Sequence, residues 1–248
     1  MINFNKEQIY IVTGASSGIG EATAILLNEL GATVVGIGRN QERLEGMKAK
    51  CKYPENMFLE QKDLTEDIEG LPKYVKSLKE KYGKFSGMAY CAGISELKPL
   101  KMQDFSNLQN LFNINYFAPV LMTKGLVDKR NNIGEGTSVV AISSIASLCS
   151  DKGHLAYSGS KSALCASMKV IAHEVSNFKI RVNTVLPSNI KTPMTEIGGE
   201  GYEESQKDKY PFGFGEPNDV ANMIVYLLSD KAKFISGQNY VIDSGGVL

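Results

Sequence analysis

Seven short apolar runs recur along the 248-residue chain, and longer stretches with helical spacing separate most of them. Several runs are apolar almost throughout, which is typical of parallel strands that are covered on both faces. Strands that alternate with helices predict an α/β fold, a doubly wound parallel sheet of about seven strands with helices on both faces. The predicted strands are Ile9–Thr13, Thr33–Ile37, Met57–Glu60, Gly87–Cys91, Ser138–Ile142, Arg181–Leu186 and Tyr240–Ile242.

The first helix has the clearest amphipathic pattern. Its apolar positions recur three and four residues apart, and Gly31 follows as the residue just past its end. The chain shows no internal repeat and no long linker, so residues 1–248 are predicted to form a single domain. The apolar positions are Ile19, Ala22, Thr23, Leu26, Leu27 and Leu30, and a similar pattern near the carboxyl terminus comprises Val220, Met223, Ile224, Leu227 and Leu228.

The segment 193–215 departs from this alternation, because it holds five glycines, two prolines and several charges. It is predicted to be a loop or short lid after the sixth strand, with a little helix. An ordinary surface excursion would have the same composition. Its place after the carboxyl end of a strand, where open sheets bind ligands, favours a substrate lid.

Charge and cysteine content exclude several classes of protein. The 27 basic and 27 acidic residues balance, which argues against a nucleic-acid-binding surface or a membrane-surface role. Neither a secretory leader pattern nor an apolar run long enough to span a bilayer is present. No metal site and no disulfide framework are predicted, so a reducing, cytoplasmic setting is the simplest interpretation. The four cysteines, none in a CxxC pair, are Cys51, Cys91, Cys149 and Cys165.

A glycine-rich turn joins the first predicted strand to the first helix. Residues 13–20 read TGASSGIG, with glycines at Gly14, Gly18 and Gly20. Glycines allow the backbone to turn sharply and to approach a pyrophosphate, and the free amides of the helix start then face the anion. An ordinary tight turn would also use glycines, but the flanking strand and helix favour a phosphate site.

Tyr157 and Lys161 lie four residues apart on a predicted helix, so their side chains share one face. A lysine ammonium beside a phenol favours the phenolate, and we therefore expect Lys161 to lower the pKa of Tyr157. Such a tyrosine can donate a proton to a carbonyl oxygen near neutral pH. In isolation the pair would be an unremarkable surface contact, so its neighbours in the sequence decide its meaning.

Two further polar positions accompany the pair. Ser144 and the adjacent Ser143 follow the fifth predicted strand, where either hydroxyl could stabilise charge on a reacting oxygen. Asn115 occupies the next position on an otherwise apolar helical stripe, where a buried amide needs hydrogen-bond partners. Pro119 follows closely and predicts a kink. A buried structural amide is the alternative interpretation of Asn115.

These residues resemble the short-chain dehydrogenase/reductase (SDR) family, a Rossmann fold, and within it the 3-oxoacyl-[acyl-carrier-protein] reductases. The resemblance covers essentially the whole chain. Beyond the turn at 13–20, it rests on motifs in the family's order and at similar spacing. They are Asp63-Leu64, Cys91-Ala92-Gly93-Ile94, Asn115, Ser144, Tyr157-x-x-x-Lys161, Pro187-x-x-Ile190-x-Thr192, Ile235-Ser236-Gly237-Gln238 and Val241–Gly246.

The resemblance implies roles for individual residues. It implies that Asp63 and Leu64 lie against the adenine of a dinucleotide, although Asp63 could instead cap a helix that begins near Thr65. It also implies that Ile190 and Thr192 hold the nicotinamide carboxamide. The implied catalytic residues are Asn115, Ser144, Tyr157 and Lys161, and the implied cofactor-binding residues are Gly14, Ser16, Ser17, Gly18, Ile19, Gly20, Arg39, Asp63, Leu64, Ala92, Gly93, Tyr157, Lys161, Ile190 and Thr192.

The end of the second strand predicts which dinucleotide is bound. Gly38 stands where an acidic residue would hydrogen-bond the ribose hydroxyls and repel a 2′-phosphate, and Arg39 follows. NADP(H) is therefore predicted over NAD(H), although Arg39 could be a solvated residue at a helix start. The second basic residue that NADP-preferring relatives often carry inside the glycine turn is replaced by Ser17.

The predicted reaction is direct hydride transfer between the nicotinamide and a carbonyl or alcohol, without a metal. The predicted substrate is a small-molecule or acyl-thioester carbonyl compound. A 3-oxoacyl thioester is the first candidate, and sugars, polyols and small ketones are alternatives; a non-catalytic dinucleotide sensor is the alternative from another class. The resemblance further implies a homo-oligomer, a tetramer or dimer. Cys91 and Ser188 replace the family's usual Asn and Gly, which leaves the local geometry open.

Overall fold

A computed structural model describes residues 1–195, 201–206 and 208–246, with only the backbone of Tyr202. Seven strands form one parallel sheet in the order β3-β2-β1-β4-β5-β6-β7, which confirms the predicted fold class. Their ends differ from the predicted ones by one residue at most, and Cys91 falls just beyond its strand. The strands are β1 Ile9–Thr13, β2 Thr33–Gly38, β3 Met57–Gln61, β4 Gly87–Tyr90, β5 Ser138–Ile142, β6 Arg181–Pro187 and β7 Asn239–Ile242.

Helices cover both faces of the sheet. The first helix begins at the glycine turn, and Gly31 with φ +99° lies just past its end, as predicted. The described helices are α1 Gly18–Glu29, α2 Gln41–Lys48, α3 Leu71–Tyr82, α4 Phe105–Phe112, α5 Ala118–Val127, α6 Leu155–Glu174, α7 Tyr202–Ser205 and α8 Pro217–Leu228. A π-helical turn, Asn113–Phe117, joins α4 to α5.

Two apolar cores, one on each face, hold the sheet between its helices. Every residue of β2, β5 and β6 is buried, which agrees with their near-continuous apolar sequences. One core packs α1 against α8 and the sheet, and the other packs α3 against α5 and includes the inner face of α6. Each buried Val, Ile or Leu contributes about 1.5–3 kcal/mol to this association.

The strand order reverses between β1 and β4. The chain winds outward from β1 through β2 to β3, and then resumes on the other side with β4, β5, β6 and β7. The loops that leave the carboxyl ends of β1 and β4 therefore diverge, which opens a crevice between them. The glycine-rich turn follows β1 and residues 91–94 follow β4, so both border this crevice.

The segment 193–215 lies beside the same edge of the sheet. Residues 196–200 and 207 lie outside the described residues, and the remainder contains α7, the predicted short helix. Lys191 forms ion pairs with Glu203 at 3.5 Å and with Glu216 at 3.2 Å, and the Phe212 N–H donates to Ser244 Oγ at 2.8 Å. These contacts tie the segment to the loop after β6 and to the loop after β7, and Lys191 also links the loop after β6 to the start of α8.

Two kinds of feature are absent from the described part of the chain. None of its helices combines the length and apolarity that a membrane span requires. No group of three or more histidine, cysteine or acidic side chains is arranged to hold a metal ion there.

The surroundings of two glycines predict opposite effects on stability when each is substituted: Gly125, where α5 packs against α3, and Gly46 in α2. A Cβ on Gly125 would lie 2.9 Å from Pro72 Cα and 2.9 Å from Val75 Cβ, whereas nothing lies within 4 Å of a Cβ on Gly46 in α2. Gly125→Val should lower the free energy of unfolding by about 1–3 kcal/mol. Gly46→Ala should raise it by about 0.5–1 kcal/mol, because alanine favours helix. Urea denaturation of both variants measures these changes, and a Gly125→Val protein of unchanged stability would contradict the close packing.

Candidate active site

The glycine-rich turn has the geometry of an anion site. Gly14 and Gly18 have φ values of +66° and +56°, which favour glycine. A Cβ on Gly20 would lie 2.2 Å from the Gly14 carbonyl oxygen, so no other residue fits there without a backbone shift. The Ser17 side chain, which precedes α1, makes no capping hydrogen bond with the helix. The amides of this helix start are therefore available to a phosphate.

A single cleft at the crevice brings together nearly all predicted site residues. Its volume is about 320 Å³. It combines the amides of the glycine turn, the basic and acidic residues after β2 and β3, and the hydroxyls of Ser144 and Tyr157. Its lining includes Gly14, Ser16, Ser17, Gly18, Ile19, Gly20, Arg39, Asp63, Leu64, Ala92, Gly93, Ser144, Tyr157, Lys161, Ile190 and Thr192. These residues fit a nicotinamide dinucleotide, with the anion site and the hydroxyl pair in one continuous cavity.

Tyr157 and Ser144 form a hydroxyl pair at the inner part of this cleft. Both side chains line the cleft and the Ser144 hydroxyl acts on that of Tyr157, while Ser144 Oγ also accepts from the Ala146 N–H at 3.1 Å. The expectation of a lowered tyrosine pKa is wrong for this structure. Burial raises the pKa of Tyr157, and the hydrogen bond with Ser144 opposes that rise without cancelling it.

Lys161 lies one helical turn beyond Tyr157 and is buried. Its Nζ donates to the Ile142 carbonyl oxygen at 2.8 Å and lies 5.9 Å from the centre of the Tyr157 ring. Burial lowers the pKa of Lys161 to about 8. The ammonium therefore points at the backbone where β5 ends and can lose its proton near neutral pH. This placement explains why Lys161 does not dominate the pKa of Tyr157.

The structure separates the roles of the two serines after β5. Ser143 Oγ donates to the Lys161 carbonyl oxygen at 3.0 Å and accepts from Cys165 Sγ at 3.1 Å. Ser144 instead joins Tyr157. Ser143 therefore supports the backbone of α6, whereas Ser144 shares the cleft with Tyr157.

Asn115 is fully buried within the π-helical turn and lies directly behind the cleft. Its Oδ1 accepts from the Ile94 N–H at 3.1 Å, and its Nδ2 donates to the Ile94 carbonyl oxygen at 2.9 Å and to Ser160 Oγ at 3.2 Å. The predicted kink is a π-helical turn before Pro119, which falls in the first turn of α5. The amide thus has the partners that its burial requires.

Gly93 lies next to two of the predicted catalytic side chains, Asn115 and Lys161. A Cβ there would lie 2.9 Å from Asn115 Oδ1 and 3.4 Å from Lys161 Nζ. On the opposite wall, Thr192 approaches the glycine turn, since its Cγ2 would lie 2.9 Å from a Cβ on Gly18. Ile190 is buried, and its carbonyl accepts from Thr195 Oγ1 at 2.7 Å. On both walls of the cleft, therefore, a glycine backbone lies close to a neighbouring side chain.

The two departures from the family pattern are accommodated. The N–H groups of Cys91 and Ala92 both donate to Thr13 Oγ1 at 3.1 Å. These two hydrogen bonds hold the loop after β4 against β1 without the usual amide side chain. Burial raises the pKa of Cys91 to about 12, which makes it a packed thiol. Ser188 is not among the described non-glycine residues with positive φ, which are Lys179 and Ser244. A glycine is therefore not required there.

Arg39 and Asp63 meet at the outer end of the cleft, with Nη1 and Oδ2 3.9 Å apart. Asp63 Oδ1 accepts from the Thr65 N–H and hydroxyl at 2.9 and 2.7 Å. Burial raises the pKa of Asp63, but these hydrogen bonds and nearby Arg39 and Lys62 outweigh it and lower the pKa overall. No helix begins near Thr65, because α3 starts at Leu71. The capping alternative is therefore wrong, and Asp63 stabilises a turn.

Several cleft residues were not predicted from the sequence. They come from the turn after β3, from α4 and the π-helical turn, and from the start of the segment 193–215. Only Met194 and Thr195 had a signal in the sequence, because they belong to the predicted lid. The residues are Lys62, Thr65, Asn110, Ile114, Met194 and Thr195.

Comparison with known proteins agrees with this site. Residues 14–246 match the family described as enoyl-(acyl carrier protein) reductase. The 3-oxoacyl-[acyl-carrier-protein] reductase FabG of Thermotoga maritima is 32% identical, over 97% of this chain and 98% of the relative. The NADP-dependent (R)-specific alcohol dehydrogenase of Lentilactobacillus kefiri is 34% identical, over 97% and 96%. The NAD-dependent glycerol dehydrogenase of Listeria innocua is 31% identical, over 98% and 95%.

A solved structure agrees as well. A short-chain dehydrogenase/reductase from Mycobacterium ulcerans is 30% identical, with a TM-score of 0.88, over 98% of this chain and 90% of that chain. The match confirms the family resemblance and the prediction that the protein is an enzyme. The chain belongs to the short-chain dehydrogenase/reductase family of oxidoreductases, which bind a nicotinamide dinucleotide and act on alcohol and ketone groups.

Proposed function

We propose that the protein is an NADP(H)-dependent carbonyl reductase or alcohol dehydrogenase that uses Asn115, Ser144, Tyr157 and Lys161. The observation that carries the proposal is the placement of the Tyr157 and Ser144 hydroxyls in one cleft, beside buried Lys161. When bound, the dinucleotide supplies the hydride in reduction and accepts it in oxidation. A non-catalytic sensor has no need of this arrangement, and the four side chains are all present.

In reduction, Tyr157 donates its proton to the substrate oxygen, and the Ser144 hydroxyl stabilises the charge that develops there. Lys161 lies close enough to favour the tyrosinate that results, and its pKa of about 8 allows it to pass a proton onward. Asn115 is a positioning residue, since it holds both backbone polar groups of Ile94 beside Gly93. We propose that protons reach Lys161 from solvent through water near this amide.

The dinucleotide would extend from the glycine turn to the hydroxyl pair. Ser16, Ser17 and the amides of Gly18, Ile19 and Gly20 would hold its phosphates, with Gly14 making room for the turn. At the outer end Arg39 would bind the 2′-phosphate and Asp63 with Leu64 would border the adenine. Ala92 and Gly93 would border the ribose, and Ile190 with Thr192 would hold the carboxamide.

Two features support NADP(H) over NAD(H). Position 38, at the end of β2, is a glycine and carries no carboxylate, and the side chain of Arg39 is 72% exposed and only loosely paired, so it is free to bind a phosphate. The alcohol dehydrogenase relative is NADP-dependent, whereas the glycerol dehydrogenase relative is NAD-dependent. The family alone therefore does not decide the cofactor, and Arg39 carries this part of the proposal.

A 3-oxoacyl thioester is the first substrate candidate, because the Thermotoga maritima relative is a 3-oxoacyl-[acyl-carrier-protein] reductase. A small ketone or polyol is the second, because the two alcohol dehydrogenase relatives act on such molecules by name. We further propose that residues 1–248 form one domain, that the segment 193–215 is a lid over the substrate, and that the enzyme is a cytoplasmic homo-oligomer, a tetramer or dimer.

The substrate proposal is tested by following NADPH oxidation with acetoacetyl thioesters, small ketones and keto-sugars at equal concentrations. We expect the highest kcat/KM with a 3-oxoacyl thioester. A higher kcat/KM with a small ketone would favour the second candidate. No turnover with any carbonyl compound, together with intact dinucleotide binding, would favour the sensor instead.

Tyr157→Phe removes the proposed proton donor and keeps the ring. We expect kcat to fall by about 10²–10⁴-fold, the usual contribution of a positioned acid. The affinity for NADPH, measured by calorimetry, should change little because the fold and the glycine turn are intact. Near-normal turnover by this variant would refute the assignment.

The two serines after β5 provide a matched pair of variants. Ser144→Ala should lower kcat by about 10²–10³-fold, because a donor to the reacting oxygen is lost. Ser143→Ala should lower kcat less, since its hydroxyl contacts the Lys161 carbonyl and faces away from the reacting position. Steady-state kinetics of both variants decides between them, and the reverse order would assign the role to Ser143.

Arg39→Ala tests the cofactor assignment. We expect kcat/KM for NADPH to fall by about tenfold or more, since a charge-assisted hydrogen bond contributes about 1.5–3 kcal/mol. The value for NADH should stay constant or rise. An unchanged kcat/KM for NADPH would remove Arg39 from the site.

A further inference from the structure

Lys62 borders the cleft at the same end as Arg39, although no sequence motif marks it. It directly follows β3 and lines the cleft together with Gly38, Arg39 and Asp63. Its N–H donates to the Gly38 carbonyl oxygen at 2.9 Å, and the neighbouring Gln61 Nε2 donates to the Arg39 carbonyl oxygen at 3.0 Å. The ends of β2 and β3 are thereby tied together, so Arg39 and Lys62 follow neighbouring strand ends and both border the cleft.

Both cations have incomplete local partners. Arg39 Nη1 lies 3.9 Å from Asp63 Oδ2, and Lys62 Nζ lies 3.8 Å from Glu66 Oε2. These separations exceed the roughly 2.7–2.9 Å of a charge-assisted hydrogen bond. Within the described residues, neither cationic group donates a side-chain hydrogen bond. Each could therefore bind an added anion without first breaking a short hydrogen bond.

The part of the cleft that Arg39 and Lys62 border suits a phosphate. A Cβ on Gly38 would lie 3.1 Å from Ser16 Oγ, so the glycine leaves room above the strand end and brings that hydroxyl close. The Ser16 hydroxyl lines the cleft and has no hydrogen-bond partner in the part of the chain that the structure describes. A phosphate monoester carries close to two negative charges at neutral pH, so two cations and a hydroxyl match it better than one guanidinium does.

We propose that Lys62 acts with Arg39 as the second cation that binds the 2′-phosphate and so determines the preference for NADP(H). This inference rests on the proposed function and adds a residue to it. Lys62 takes the place of a basic residue in the glycine turn, where Ser17 stands. The carboxylates of Asp63 and Glu66 weaken the attraction of the two cations for a phosphate, since each lies near one of them. Because salt screens the attraction between these cations and a phosphate, the preference for NADP(H) should weaken as ionic strength rises.

The test is calorimetric titration of the intact protein with NADP⁺ and with NAD⁺. We expect Lys62→Met to raise the Kd for NADP⁺ by about tenfold, the loss of one charge-assisted contact, and to leave the Kd for NAD⁺ unchanged. Lys62→Arg, which keeps the charge, should retain the preference. The matched control is Lys76→Met, because Lys76 and Glu80 form the same i,i+4 pair at 3.7 Å on α3, outside the cleft lining.

The outcomes separate this inference from the cofactor proposal. A wild-type preference for NADP⁺ that Lys62→Met lowers and Lys76→Met does not would support it. A wild-type preference for NADP⁺ that survives Lys62→Met would overturn the role of Lys62 and leave Arg39 as the determinant. A wild-type preference for NAD⁺ would overturn the cofactor proposal, and the role of Lys62 with it. Equal losses for both dinucleotides would assign Lys62 a structural role and also overturn it.

Discussion

A parallel sheet that is buried on both faces must leave its functional groups at its edges, and here the winding direction decides which edge. Because the chain turns outward from β1 in one direction and from β4 in the other, the loops after these two strands cannot pack together. The glycine turn, the Cys91–Ile94 loop and the serines after β5 all border the resulting crevice. The position of the site thus follows from the sheet, and the side chains determine its chemistry.

Buried polar groups around this crevice are satisfied by backbone atoms. Asn115 binds both polar groups of Ile94, Lys161 donates to the Ile142 carbonyl, and Thr13 accepts from the amides of Cys91 and Ala92. Such bonds remove the cost of burial and orient each group. Burial of these groups still lowers the pKa of Lys161 and raises that of Tyr157, because it disfavours the charged form of each. The pKa values of the two groups therefore move apart, and Lys161 gives up its proton more readily than Tyr157.

The outer end of the cleft follows a different principle. There the charges are only loosely paired, with Arg39 exposed and Lys62 and Asp63 partly buried, so a bound anion can compete with the carboxylates of Asp63 and Glu66. A buried and hydrogen-bonded centre suits proton transfer, which needs fixed geometry. A solvated cluster of charges suits recognition of a phosphate, whose binding then depends on charge balance and salt.

Much of the fold and the site could be predicted from the sequence, and the failures have common causes. The strands were predicted to within a residue, because near-continuous apolar runs mark buried parallel strands, and the cleft contains the predicted cofactor residues. The pKa of Tyr157 was predicted with the wrong sign, because spacing on a helix shows proximity but not burial. The helix-capping alternative for Asp63 failed because the chain forms a turn there before α3, and Pro119 indicated a helix irregularity without revealing a π-helical turn.

The sequence by itself determined the alternation of strands and helices, the glycine turn at the start of α1, and the shared helical face of Tyr157 and Lys161. These features depend on contacts between residues near one another in the chain, so their patterns are visible in the residue order. Only the tertiary structure decided which serine meets Tyr157, what Asn115 and Lys161 bind, and that Lys62 lies beside Arg39. Those relations join residues up to 45 positions apart in the chain, or depend on burial, and the packing of the whole sheet determines both.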